Sequence, residues 1–213
     1  MGHKINIDRG RLHPWLNYKL QLFLDQCAKK GLYVIVTCGY RSFAEQDKLY
    51  AQGRTTSGSR VTNAKGGYSQ HNWGIAFDIA MNYDVDKDGK ITDDTWNVKG
   101  FQEVAKIAKK VGLAWGGDWK SIVDRPHFYL PEWGDTTTEL RNKYGTVENF
   151  KKTWKKRAIR VGGVKMRKTK FTTSKVVGVI PRGKKMNVLW EKKKYAKVEY
   201  NGVVGYVRQK YVE

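Results

Sequence analysis

Pro14, Trp15, Leu16, Leu20, Phe23, Leu24 and Cys27 recur at spacings of three and four ahead of Lys29, Lys30 and Gly31. That is the period of an amphipathic helix closed by a left-handed glycine. The apolar run LYVIVTCG at 32–39 reads as a buried strand. Ser42 stands three residues before Glu45, a capping box that predicts a helix from Phe43 to about Gln52 and leaves Arg41 at the strand-to-helix corner. Residues 53–70 are polar and Gly-rich, a long loop of the kind that is usually functional or mobile. A strand is expected at 75–80. Phe101, Val104, Ala105, Ala108 and Val111 mark a further helix stopped by Gly112, with short strands at 113–115 and 127–130.

Two short helices, near 137–144 and 146–156, lead into a different texture after Gly162 and Gly163. There VKMR, KVVGVI, KMNVLW, AKVEY and GYVRQKYV alternate as short strands, separated by turn pairs such as Arg182-Gly183 and Asn201-Gly202. Five strands in so short a segment fit a small barrel. The expected organisation is an α+β domain over 1–135, with a small antiparallel sheet and flanking helices. A helical linker over 136–162 and an all-β barrel over 163–213 follow it.

Composition narrows the class. The 213 residues are 40% hydrophobic and include only 4 Pro, which excludes wholesale disorder and collagen-like or proline-rich chains. No run is long and apolar enough to span a membrane, and MGHKINIDRGRLHPW has no apolar signal core. Synthesis in a cytoplasm without a signal peptide is therefore expected, with no membrane partner. Cys27 and Cys38 read as core filler. The net charge is +21, and residues 151–213 hold most of it, with 20 basic against 3 acidic side chains. Such a field concentrates a polyanion: a nucleic acid, an anionic lipid surface or an anionic wall polymer.

The candidate chemistry lies in two of the four histidines. His71, in SQHNWGIAFD, is followed by Asp78, and His127, in VDRPHFYL, is preceded by Asp124. A catalytic zinc takes three nitrogen or oxygen ligands and works beside a carboxylate that can accept a proton from water. Two His and two Asp supply that set, although on spacing alone such residues are more often structural than metal-binding. Positions 71 and 78 would face opposite sides of one continuous strand, so the backbone must break between them, and Gly74 is the natural place.

The pattern Ser69-x-His71-x-x-Gly74-x-Ala76-x-Asp78, with Asp124-x-x-His127 and Gly39-Tyr40-Arg41-Ser42, resembles the zinc peptidases of the D-alanyl-D-alanine carboxypeptidase and L-alanyl-D-glutamate endopeptidase family. The likeness runs from about residue 30 to 131. It includes Trp115-Gly116-Gly117-Asp118-Trp119, which is similar to a segment of the phage and Bacillus endopeptidases of that family. The resemblance implies that His71, Asp78 and His127 hold Zn²⁺, that Asp124 is the general base and that Arg41 stabilises the oxyanion. Ser69 and Gln46 are candidate substrate contacts. Many family members carry Glu at the base position, and the shorter Asp124 asks for a closer backbone.

Asp84-x-Asp86-x-Asp88-Gly89-x-Ile91 matches the front half of a calcium loop, but its twelfth position is Thr95 rather than Glu. It is read either as an altered Ca²⁺ site or as a solvated acidic turn.

Residues 164–213 resemble a bacterial SH3 domain through the order of MR, SKVVGVIPRGKK, YAKVEYNGVVGYV and KYV. The resemblance implies binding to the Gram-positive cell wall, and the positive charge fits retention on teichoic acids. The expected whole is a monomeric phage-type endolysin. It is released to the wall and cleaves the L-Ala-D-Glu bond of the peptidoglycan stem peptide. The rival readings are a D-Ala-D-Ala carboxypeptidase of the same family and a non-enzymatic, basic wall- or nucleic-acid-binding protein.

Overall fold

The computed structural model describes residues 2–82, 84, 87–88, 96–154, 157–158, 162–192 and 194–212. The chain forms two compact units, Met1–Val147 and Glu148–Glu213, divided within the segment expected as a linker.

The first unit is α+β. Its strands are β1 (Lys4–Ile5), β2 (Val34–Cys38), β3 (Ala76–Met81), β4 (Ala114–Trp115) and β5 (His127–Tyr129), and its helices are α1 (Pro14–Ala28), α2 (Phe43–Ala51), α3 (Val98–Lys110) and α4 (Thr138–Tyr144). A further helix, α5 (Val147–Lys152), starts at the division. The sheet order is β1-β2-β3-β5-β4; β1 runs parallel to β2 and the other neighbours are antiparallel. The two-residue β1 was not legible in the hydrophobic pattern, because so short an edge strand has no periodicity.

Helix α1 begins where His13 Nδ1 accepts the Trp15 amide at 3.1 Å, with Pro14 in the first turn. It buries Leu16, Leu20, Phe23, Leu24 and Cys27. Phe23 meets Phe77 of β3 at 5.9 Å and Phe128 of β5 at 5.6 Å, ring centre to ring centre. Fully burying each such ring stabilises the fold by about 1.5–3 kcal/mol. These contacts hold one face of β3 and β5 against α1. By the alternation of strands, Asp78 and His127 turn to the other face.

In α2 both arms of the capping box form: Ser42 Oγ accepts the Glu45 amide at 3.2 Å, and Glu45 Oε2 accepts the Ser42 amide at 2.7 Å. The chain is thereby turned sharply after β2, and Arg41 stays at the corner. Elsewhere, buried Lys19 donates to the Gly112 carbonyl and pairs with Glu132 at 3.3 Å, joining α1 to the end of α3 and to the 131–133 turn.

The second unit is a small antiparallel sheet. Its strands are β6 (Arg157–Ala158), β7 (Val164–Arg167), β8 (Val176–Ile180), β9 (Lys185–Lys192), β10 (Tyr195–Tyr200) and β11 (Val203–Arg208), in the order β6-β9-β10-β11-β7-β8. The five expected strands are present, and the two-residue β6 adds to the edge of β9. Asn201 (φ 51°) and Gly202 (φ 76°) both take left-handed backbone, the primed turn that matches strand twist. Val164, Met166, Ile180, Met186, Val188, Ala196, Val198, Val207 and Val212 form the core, with Tyr200 and Tyr211 packed against it.

Candidate active site

Between His71 and Asp78 the backbone does break. Residues Gln70–Trp73 form a 3-10 turn that ends at Gly74 with φ 64°, and β3 starts two residues later. His71 therefore comes from the turn that leads into β3, while Asp78 comes from the strand itself. The register then lines up Cys38, Asp78 and His127 as directly opposed residues on β2, β3 and β5.

Three donor atoms converge there. His71 Nε2 lies 3.1 Å from Asp78 Oδ1, His127 Nδ1 lies 3.0 Å from the same oxygen, and the two nitrogens are 3.2 Å apart. Their outer hydrogen bonds decide the tautomers. His71 Nδ1 donates to the Gly39 carbonyl at 2.7 Å. His127 Nε2 donates to Gln70 Oε1 at 2.8 Å, and the Gln70 amide is oriented by its own donation to the Gly134 carbonyl at 3.2 Å. In the neutral rings, the nitrogens that face each other thus present lone pairs, beside a carboxylate oxygen. Such a triangle calls for a cation.

The donor set fits zinc. Ligands at 2.0–2.1 Å from a tetrahedral ion stand about 3.3 Å apart, close to the three separations seen. Without metal, a proton serves the same field. Burial acts to lower the His71 pKa, but the charge and hydrogen bond of Asp78 outweigh it and raise it to about 10. Burial likewise acts to raise Asp78, and the two histidines hold it well below the usual carboxylate range.

Cys38, expected in the core, stands at this site instead. Cys38, His71 and Asp78 also present donor atoms within 4.8 Å of one another. However, its Sγ approaches His71 at Nδ1, the proton-bearing nitrogen, at 3.7 Å, and it accepts Arg41 Nη2 at 3.1 Å. His127 is the better third ligand on geometry. Cys27 is buried in α1 as expected.

Arg41 Nη2 lies 4.0 Å from Asp78 Oδ2, and Arg41 Nη1 donates to Gln46 Oε1 at 2.8 Å. Gln46 is fully buried and donates to the Ala64 carbonyl at 2.8 Å, so it ties Arg41 to the 62–64 loop. Ser69 is half-buried and caps the 3-10 turn, with Oγ 3.4 Å from the His71 amide.

Asp124 is half-buried, and burial raises its pKa, opposed by His127. Its amide donates to the Gly116 carbonyl at 3.1 Å, and its carbonyl accepts the His127 amide at 3.3 Å. A Cβ on Gly116 would stand 2.6 Å from the Asp124 carbonyl oxygen. The glycine therefore permits the close backbone that the short acid needs. Asp124 lines a groove of about 1140 Å³ together with Thr62, Ala64, Trp119, Lys120 and Ser121. Gln70 and the Gly39 carbonyl were missed from the sequence; the polar Gln70 beside a candidate ligand was the available signal.

For the calcium reading, Asp86 and residues 89–95 lie outside the described residues. Asp84 Oδ1 accepts the Asp88 amide at 3.1 Å. Nothing among the described residues or the relatives supports a bound calcium.

An α+β fold that gathers two histidines and an aspartate around one point, with a second aspartate near by, presents the donor set of a metal-dependent hydrolase. Residues 9–123 match the D-alanyl-D-alanine carboxypeptidase (VanY) family. Residues 162–213 match the bacterial SH3 domain family. The peptidoglycan L-alanyl-D-glutamate endopeptidase CwlK of Bacillus subtilis (strain 168) is 46% identical over 125 residues, covering 56% of this chain and 73% of that protein. Among solved structures, the L-Ala D-Glu endopeptidase ChiX of Serratia marcescens is 23% identical, covering 57% of this chain and 82% of its own, with a TM-score of 0.42. The LdcB LD-carboxypeptidase is 19% identical, covering 70% and 74%, with a TM-score of 0.45. The chain belongs to the D-alanyl-D-alanine carboxypeptidase family and carries a bacterial SH3 domain after its peptidase domain.

Proposed function

We propose that the protein is a zinc-dependent peptidoglycan hydrolase of the endolysin type that cleaves the L-Ala-D-Glu bond of the stem peptide. The observation that carries this reading is the triangle of lone pairs of His71, Asp78 and His127, close enough to Asp124 for their charges to act on its carboxyl. Similarity to the endopeptidase CwlK supports the choice of bond. Residues 1–135 act as the catalytic part, 136–162 connect, and 163–213 hold the enzyme to the Gram-positive wall.

His71, Asp78 and His127 hold the zinc, whose Lewis acidity serves amide hydrolysis. Asp124 accepts the proton of the attacking water and delivers it to the leaving amine; its burial-raised pKa suits both transfers. Arg41, held by Gln46 and Cys38, faces the negative charge that grows on the scissile carbonyl oxygen. Ser69 contacts substrate at the rim, and Gln46 acts through Arg41.

The test is mass spectrometry of Gram-positive sacculi incubated with native, chelator-treated and zinc-restored protein. New amino termini on D-glutamate that vanish without zinc are expected. Loss of terminal D-alanine alone would assign carboxypeptidase activity instead, and intact sacculi in every sample would overturn the hydrolase reading.

A further inference from the structure

Strand alternation sorts the second unit into two faces. On β7, Val164 and Met166 enter the core while Lys165 and Arg167 point outward. On β10, Ala196 and Val198 point in and Tyr195 and Lys197 out; on β11, Val207 points in and Tyr206 and Arg208 out. The register then places unlike groups side by side. Tyr206 is directly opposite Arg167 on one neighbour and Lys197 on the other, and Tyr195 is opposite Arg208. The Lys197 ammonium lies 5.4 Å from the centre of the Tyr206 ring.

This face opens into a groove of about 590 Å³ lined by Lys165, Arg167, Lys170, Arg208, Tyr195 and Tyr206, among others. No carboxylate is among the described residues that line it. Glu199, further along β10, is drawn away to the Gly202 amide at 2.8 Å. Arg167 is held in place by its donation to the Ser174 carbonyl at 2.7 Å.

We propose that this groove binds a phosphodiester-linked polyol chain, and that it is the site through which the second unit grips the wall. The proposal rests on the wall-targeting reading above and names the ligand class behind it. Four cations without an acid suit a repeating anion, and phosphodiesters keep their charge across the working pH range. The tyrosines are half-buried, and Lys197 stands over the Tyr206 ring. They therefore offer edges, hydroxyls and C–H contact to a slender polyol rather than the flat open platforms on which bases stack. A single-stranded nucleic acid is the competing polyanion, and the experiment includes it.

The full-length protein is titrated by calorimetry with soluble poly(glycerol phosphate) and with a single-stranded DNA oligonucleotide of equal charge, at about 50 mM and about 200 mM salt. Binding to sacculi is measured before and after hydrofluoric acid strips their phosphodiester polymers. Expected are tighter binding to the polyol chain than to DNA, and loss of most sacculus binding on stripping. The double variant Lys165→Gln/Arg208→Gln should weaken polyol binding by about tenfold and flatten its salt dependence, since two phosphate contacts are lost. The equally discharged Lys175→Gln/Lys184→Gln, outside the groove, should change it by less than about threefold, with thermal unfolding confirming that both variants fold. Equal losses in the two variants would reduce the effect to diffuse charge and overturn the proposal. Equal or tighter DNA binding, or undiminished binding to stripped sacculi, would also overturn it. Hydrolysis of a soluble stem peptide by the unaltered protein tests the peptidase reading separately.

Discussion

Asp78 and His127 are directly opposed across the antiparallel ladder of β3 and β5, and Asp78 Oδ1 lies 3.0 Å from His127 Nδ1. The ladder thus presets the distance between two of the three donors. Asp78→Asn keeps the shape but removes the charge that draws a cation. Its zinc affinity, read by chelator competition, should fall by more than the roughly 10- to 100-fold that loss of an outer partner costs.

Gln70 sets the tautomer of His127 from the other side of the ring, at 2.8 Å. Gln70→Leu leaves all three donors in place, yet frees the ring to turn its protonated nitrogen inward. Zinc affinity should drop by about 10- to 100-fold, with the circular dichroism spectrum unchanged.

For Asp124, the isosteric Asp124→Asn should slow hydrolysis of a soluble stem peptide by about 10²- to 10⁴-fold, the usual worth of a positioned acid–base group. Bound zinc, measured by elemental analysis, should stay at the native level. Turnover near the native rate would remove Asp124 as the base.

Gly116 tests the close backbone beside that acid. In Gly116→Ala the added methyl would meet the Asp124 carbonyl at 2.6 Å and His127 Cβ at 3.1 Å. Urea unfolding should show a loss of about 1–3 kcal/mol, typical of overpacking, and hydrolysis should fall as the 124–127 turn is displaced.

His13 makes stability depend on pH. Burial lowers its pKa from 6.5 to about 3. Between those values the unfolded chain takes up a proton that the folded chain refuses, so the His13 contribution is complete above about pH 6.5 and is lost as pH falls, by about 1.4 kcal/mol per unit. His13→Asn retains a side-chain acceptor for the Trp15 amide. Its unfolding free energy should decline less steeply than that of the native protein between pH 6.5 and 4.

The sequence by itself determined the elements whose causes are local. The three-and-four spacing from Trp15 to Cys27 specified α1, Ser42 and Glu45 specified the start of α2, and the odd interval between His71 and Asp78 required the break found at Gly74. Alternation likewise marked β7 and most of β10, where inward apolar positions alternate with outward polar ones. Tertiary structure decided the rest. Cys38 has the composition of a core residue, but the register places it opposite Asp78 and beside Arg41. Gln70 and the Gly39 carbonyl carry no motif, yet they select which nitrogen of each histidine is free to bind. Tyr206 meets Arg167 and Lys197 only because three strands pair in one register. A residue's own neighbours along the chain set its backbone, whereas its partners across a sheet depend on how distant segments share a core, and that choice is made by the fold as a whole.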